Sequence, residues 1–198
     1  SPTFGGINLE DIAAPLCFEV EERLKSELDI PVFHDDQHGT AIVVLAGLIN
    51  AGKVTGKDLG SNTIVVNGVG AAGVAIINLI HKYAPTATII AVDSTGIIWN
   101  GRDNLNETKQ KLLSSGAVNA TTGGGLAEAI NGADVFIGVS KADILTEEMI
   151  KSMNEKPVVF ALANPNPEIS YELAQKTKVA VLATGRSDYP NQVNNAIA

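Results

Sequence analysis

Little in this 198-residue sequence points to export or to a charged polymer as partner. One cysteine, Cys17, permits no internal disulfide, which fits a reducing cytoplasm. Fourteen Lys and Arg stand against 22 Asp and Glu, for a net charge of −8, and the basic residues form no cluster, so no nucleic-acid partner is expected. No stretch approaches the roughly 18 uninterrupted apolar residues of a membrane span, and none has the pattern of a signal peptide. No membrane association is expected. Aromatics make up only 5% of the chain. The sequence opens on Ser1-Pro2-Thr3 rather than Met and breaks off at Ala196-Ile197-Ala198, and it is expected to be part of a longer chain. What is present is 45% apolar residues and 19 glycines, a balance that suits an α/β protein with buried strands and tight turns and argues against disorder.

The stretch from Thr63 to Asp93 organises the rest. A β-branched run, Thr63-Ile64-Val65-Val66-Asn67, leads into Gly68-Val69-Gly70-Ala71-Ala72-Gly73, then an apolar-periodic segment to Tyr83, then Thr88-Ile89-Ile90-Ala91-Val92-Asp93. Strand, Gly-x-Gly-x-x-Gly turn, helix, second strand and terminal acid are the ordered parts of a dinucleotide-binding βαβ unit. Gly68 permits the tight turn, Gly70 lets the backbone approach a pyrophosphate, and Gly73 lets the helix pack close to the sheet. The helix then points unpaired N–H groups and its positive end at the phosphates. Asp93 is placed to accept hydrogen bonds from both ribose hydroxyls, and a 2′-phosphate there would meet negative charge, so NAD is favoured over NADP. Ala71, Ala72, Ser94, Val139 and Asn164 complete the candidate cofactor contacts.

The expected fold is a doubly wound, mostly parallel sheet, a Rossmann-like NAD(P)-binding architecture. Strands are expected near 63–67, 88–92, 135–139, 158–162 and 179–183, with helices on both faces. Residues 1–12 read as loop, and residues 14–28 as an amphipathic helix. Pro31-Val32-Phe33 reads as a short strand running into His34-Asp35-Asp36-Gln37-His38-Gly39-Thr40. The segment from Ala41 to Ala51 is apolar nearly all round and reads as a buried helix. Charge at the mouth of a buried element is costly unless paired, so Asp35 and Asp36 are candidates for a cation or metal. The bland alternative is an N-cap at Asp36 or Thr40. Glu10 and Asp11, taken alone, read as solvated charge. Gly123-Gly124-Gly125 reads as a flexible linker, and Asn166-Pro167 as the start of a helix over 169–176. Two domains are expected: residues 1–36, a segment carrying metal ligands, and residues 37–198, the dinucleotide-binding domain.

With these pieces placed, the chain resembles the cofactor-binding half of malic enzyme, most closely the bacterial type. The resemblance runs over the whole chain. It is carried by Phe4-Gly5-Gly6-Ile7-Asn8-Leu9-Glu10-Asp11, by Phe33-His34-Asp35-Asp36-Gln37-His38-Gly39-Thr40-Ala41 and by the glycine fingerprint. Ala163-Asn164-Pro165 and Tyr189-Pro190-Asn191-Gln192-Val193-Asn194-Asn195 add to it. It implies that Glu10, Asp11 and Asp36 bind a divalent metal, and three carboxylates without a thiolate suit Mg²⁺ or Mn²⁺. It further implies that Asp35 orients a catalytic lysine and that Asn164 and Asn195 hydrogen-bond malate. The implied reaction is NAD-linked oxidation of malate to oxaloacetate, then decarboxylation to pyruvate. The family's general acid, a tyrosine, its general base, a lysine, and its substrate-gripping arginine have no counterparts here. The chain alone is therefore expected to bind NAD but turn malate over negligibly, and the full-length enzyme is expected to be a homodimer. The rival readings are a malolactic enzyme, which shares these motifs but releases lactate, and a non-catalytic dinucleotide-sensing module. An amino-acid dehydrogenase would want a substrate-binding lysine in place of the carboxylates.

Overall fold

The computed structural model describes residues 3–198. A parallel pair, β1 (Ile7–Leu9) and β2 (Val32–His34), is joined by α1 (Leu16–Glu27) into a small βαβ unit. A π-helical turn over Asp35–Gly39 runs directly into α2 (Thr40–Thr55). The main sheet follows: β3 (Thr63–Asn67), α3 (Ala71–Tyr83), β4 (Thr88–Asp93), β5 (Gly96–Ile97), α4 (Glu107–Ser114), α5 (Leu126–Ile130), β6 (Val135–Gly138), α6 (Glu147–Ser152), β7 (Val158–Ala161), α7 (Tyr171–Ala174) and β8 (Val181–Thr184).

Its strand order is β5-β4-β3-β6-β7-β8, and every pair is parallel except β4 with β5. The chain leaves β3 toward β4 on one side and later returns to β6 on the other, so the connections diverge above the β3–β6 pair. That divergence opens a crevice at the carboxyl ends of the strands.

Alternation along each strand explains why the sheet is covered twice. Ile64, Val66, Ile89, Ala91, Val135, Ile137, Val158 and Phe160 point into one core, which α2, α3 and α4 close. Val65, Val92, Phe136, Val159 and Ala161 point into the other, closed by α5, α6 and α7. Strands buried on both faces must be apolar at every position, which is why these four read as continuous runs. Phe136 is fully buried between β3 and β7, and truncating it to alanine would cost about 3–5 kcal/mol.

Several expectations are corrected. Residues 7–9 form β1 rather than loop, and the antiparallel strand β5 follows β4. These are strands of three and two residues, too short for a period-2 pattern to register. Helix α2 is not buried all round, because Ile42 is 47% exposed. Helix α7 begins at Tyr171 with Ser170 as its cap, the Ser170 hydroxyl accepting from the Leu173 N–H, rather than at Asn166-Pro167. Just before that cap the Glu168 side chain turns inward, as described below.

Candidate functional site

The fingerprint turn sits over the divergence point. Gly68 adopts φ +109°, and a Cβ there would lie 2.6 Å from the Val139 carbonyl oxygen at the end of β6. A Cβ on Gly73 would overlap the Gly68 carbonyl oxygen, so the first turn of α3 lies directly against the strand end. Gly70 differs from both, since a Cβ on it would meet nothing within 4 Å. Among the described residues nothing demands glycine at Gly70, and the position faces open space at the helix start, where the N-cap provides no side-chain hydrogen bond. The first N–H groups of α3 are thus left for a ligand.

Two clefts meet at this turn. The larger, about 780 Å³, runs from Gly68 past Asp93, Ser94 and Gly96 to Gly124 and Gly125. The smaller, about 200 Å³, is bordered by Asp36, Ala72, Val139, Asn164, Asn194 and Asn195. Ser140 borders both. The candidate cofactor residues Gly68, Asp93 and Ser94 thus lie on the large cleft, and Ala72, Val139 and Asn164 on the small one. Ala71 is the first residue of α3, between them. The expectation that Gly123–Gly125 is a flexible linker is corrected: the Gly124 carbonyl accepts from Ile97 N–H at 2.8 Å, a Cβ on Gly96 would overlap that carbonyl oxygen, and the loop walls the large cleft.

Asp93 is already engaged. Its Oδ1 accepts from the Thr95 N–H at 2.8 Å and the Thr95 hydroxyl at 3.0 Å, and its Oδ2 from Arg102 at 2.8 Å and Lys109 at 2.6 Å. Burial alone would raise the pKa of this carboxyl. Arg102, Lys109 and Thr95 outweigh it and hold the pKa well below the usual carboxylate range. Ribose hydroxyls reaching Asp93 must share or displace donors that sequence spacing gave no sign of.

The polar stretch after β2 is held from two sides. Buried Glu21 of α1 accepts from Lys25 at 2.7 Å and from Gln37 at 3.4 Å, and pairs with the His38 ring at 2.6 Å. Burial raises the Glu21 pKa, but Lys25 and His38 outweigh that and hold it lowered. From the other side the Asn195 amide donates to Asp35 Oδ2 at 2.6 Å, and a Cβ on Gly39 would overlap Asp35 Oδ1. Asp35 and Asp36 are half-buried. Asp11 adopts φ +57° and donates its N–H to Asp36 Oδ2 at 2.9 Å, which brings the Glu10–Asp11 segment to Asp36. Glu10 and Asp11 are themselves exposed. Among the described residues no three His, Cys, Asp or Glu side chains converge as a metal-binding group. The donors are of the right hard-oxygen type, and two of the three are joined through a backbone N–H, but the cage is not assembled.

Sequence reading gave Glu168 no role. It is fully buried, with Oε1 accepting from the Ser140 N–H and Oε2 from the Ala163 N–H, both at 3.0 Å. Ser140 in turn accepts from the Asn67 amide at 2.7 Å. The one sequence signal was Gly138 ending an apolar strand, where a Cβ would overlap the Glu168 carboxyl.

The comparisons with known proteins agree with this geometry. Residues 37–197 match the family model described as malic enzyme, NAD binding domain. The chain is 56% identical, over all 198 residues, to the bifunctional malic/malolactic enzyme of Bacillus subtilis, of which it covers 48%. It is 54% identical to the NAD-dependent malic enzyme of Geobacillus stearothermophilus, covering 100% of this chain and 41% of that protein. The crystal structure of an NAD-dependent malic enzyme from Thermotoga maritima superposes with a TM-score of 0.94 at 50% identity, over 100% of this chain and 52% of that one. The chain thus spans about half the length, or less, of these relatives. A glycine turn over the sheet's divergence point, a cleft on either side of it and these matches together place the chain in the malic enzyme family, as its NAD-binding domain.

Proposed function

We propose that this chain is the cofactor-binding part of an NAD-linked, divalent-metal-dependent enzyme that oxidatively decarboxylates malate to pyruvate and CO₂. The observation that carries this is the meeting of the two clefts at Ser140, the large one sized for a nucleotide and the small one bordered by Asp36 and three asparagines. In this reading the Gly68–Gly73 turn and the start of α3 bind the pyrophosphate, and the adenosine ribose lies toward Asp93 and Ser94. The nicotinamide crosses Val139 and Ser140 into the small cleft, where the Asn164 and Asn195 amides hydrogen-bond the carboxylate and hydroxyl of malate. Asn195 fixes Asp35, the position that in this family orients a lysine.

Glu10, Asp11 and Asp36 would hold Mg²⁺ or Mn²⁺, which when bound would supply positive charge to polarise the substrate's oxygens and offset negative charge developing on them. Closing that set requires the exposed Glu10 and Asp11 side chains to turn toward Asp36. The strained left-handed backbone at Asp11, whose N–H already rests on Asp36, supports the assignment. Binding of Mn²⁺, followed by the loss of its free-ion resonance signal, should weaken at least tenfold in Asp36→Asn while thermal stability changes little. Equal Mn²⁺ affinity in the two proteins would remove Asp36 from the ligand set.

A second reading has one observation in its favour: the Bacillus subtilis relative is named a bifunctional malic/malolactic enzyme. Product analysis of the full-length enzyme separates the two outcomes. Pyruvate with net NADH marks the first, and lactate with no net NADH marks the second.

A further inference from the structure

Glu168 is the most deeply buried carboxylate among the described residues, at 0% exposure, and it has no ion-pair partner among them. Burial pushes its pKa up, against the pull of the Ser140 and Ala163 N–H groups. Such a group costs stability unless its acceptors are used, so its position calls for an account beyond packing. The loop that carries it is built around that position. The Leu145 N–H donates to the Glu168 carbonyl at 2.9 Å, the Asp143 N–H to the Pro167 carbonyl at 3.2 Å, and Gly138 leaves the space that the carboxyl fills.

The two bonds that Glu168 accepts join neighbouring strand ends. Ser140 lies just beyond β6 and Ala163 just beyond β7, and Asn164, the next residue, borders the small cleft. With the Asn67–Ser140 bond this makes a continuous polar tie across the carboxyl edge of the sheet, from β3 through β6 to β7. Its Ser140 and Ala163 members border the small cleft, while Asn67 and Ser140 border the near end of the large one, and the tie stops short of the β4 end, where Asp93 and Ser94 border the far side of the large cleft.

We propose that Glu168 is a positioning residue that fixes Ser140 against Ala163–Asn164, and so sets the width of the small cleft that receives the nicotinamide half of the dinucleotide. This rests on the dinucleotide reading given above. A carboxylate suits the task because both its oxygens are acceptors. Glutamine would turn an NH₂ toward one of the two N–H groups and break that side of the tie.

The test compares AMP, which carries only the adenosine half, with NAD by calorimetric titration of the wild-type protein, Glu168→Gln and Gly138→Ala. Gly138→Ala keeps the carboxylate but displaces it with a Cβ, and it borders neither cleft, so it answers the question if Glu168→Gln does not fold. The expected result is at least a fivefold loss of NAD affinity in each folded variant with AMP affinity within twofold of wild type. In Glu168→Gln the amide proton resonance of whichever of Ser140 and Ala163 loses its acceptor should also move upfield. NAD and AMP weakened in equal proportion would show a residue that only supports the fold, and neither weakened would show a dispensable one. Either result overturns the proposal. Failure of the wild-type protein to bind NAD would instead overturn the dinucleotide reading and this proposal with it.

Discussion

Gly70→Ala should melt at or slightly above the wild-type temperature and yet lose at least tenfold in NAD affinity. Gly73→Ala should instead lose on the order of 3 kcal/mol of stability as well as its affinity. The two glycines stand three residues apart in one turn, but the constraints on them come from different directions. At Gly70 the backbone is extended, at φ −92° and ψ −157°, which any residue adopts, and a Cβ would meet no protein atom within 4 Å. Alanine there also lowers the entropy of the unfolded chain, worth about 0.5 kcal/mol. Among the described residues a methyl group on Gly70 would obstruct nothing, whereas it would lie in the way of a ligand crossing the start of α3. At Gly73 the same methyl overlaps the Gly68 carbonyl oxygen, and α3 must shift away from the strand end, an overpacking of a kind that costs about 1–3 kcal/mol. Thermal melts and NAD titrations of the two variants decide the matter. A Gly70→Ala protein that binds NAD normally would place the pyrophosphate elsewhere.

The second large effect is expected at Asp93. Asp93→Ala leaves Arg102 and Lys109, whose side chains are 14% and 19% exposed, without the carboxylate between them. The loss should be on the order of 2 kcal/mol, less than for a fully buried pair because these cations retain some contact with water. The same substitution turns this part of the large cleft, where the adenosine ribose is proposed to lie, from a cluster of net charge +1 into two uncompensated cations. The ratio of NADP to NAD affinity should rise at least tenfold, and an unchanged ratio would detach Asp93 from cofactor choice. The pH dependence has a definite sign. The pKa of Asp93 is lowered in the folded protein, so the stabilisation is fully present above the unfolded value of about 3.9 and is lost as pH falls toward the lower folded value. The stability gap between wild type and Asp93→Ala should therefore be wide at pH 6 and narrow steadily below pH 4.

The course of the main sheet was legible because its signals are local. Strands β3, β4, β6 and β7 carry apolar side chains on both faces, and the glycine turn, α3 and Asp93 follow β3 at fixed spacings. Partnerships closed by tertiary folding were not legible. Asp93 looked like a free acceptor because Arg102 and Lys109 arrive through a turn and a short helix whose register no pattern fixes. Glu168 received no role from the sequence, since its donors are at Ser140, 28 residues back, and at Ala163. Asn195 and Asp35, both singled out by resemblance but for different tasks, turn out to be bonded to each other. The glycine triplet at 123–125 failed for a related reason. Its composition is that of a linker, and only the partner strand β5, two residues long, shows that it is held in place.

That bond between Asn195 and Asp35 spans 160 positions, so the loop it closes contains the entire six-stranded sheet. Asn195 is consequently a fastener. Replacing it with alanine would take the donor from a half-buried acid 160 positions away, and the change would register at the π-helical turn before it registered anywhere in the sheet.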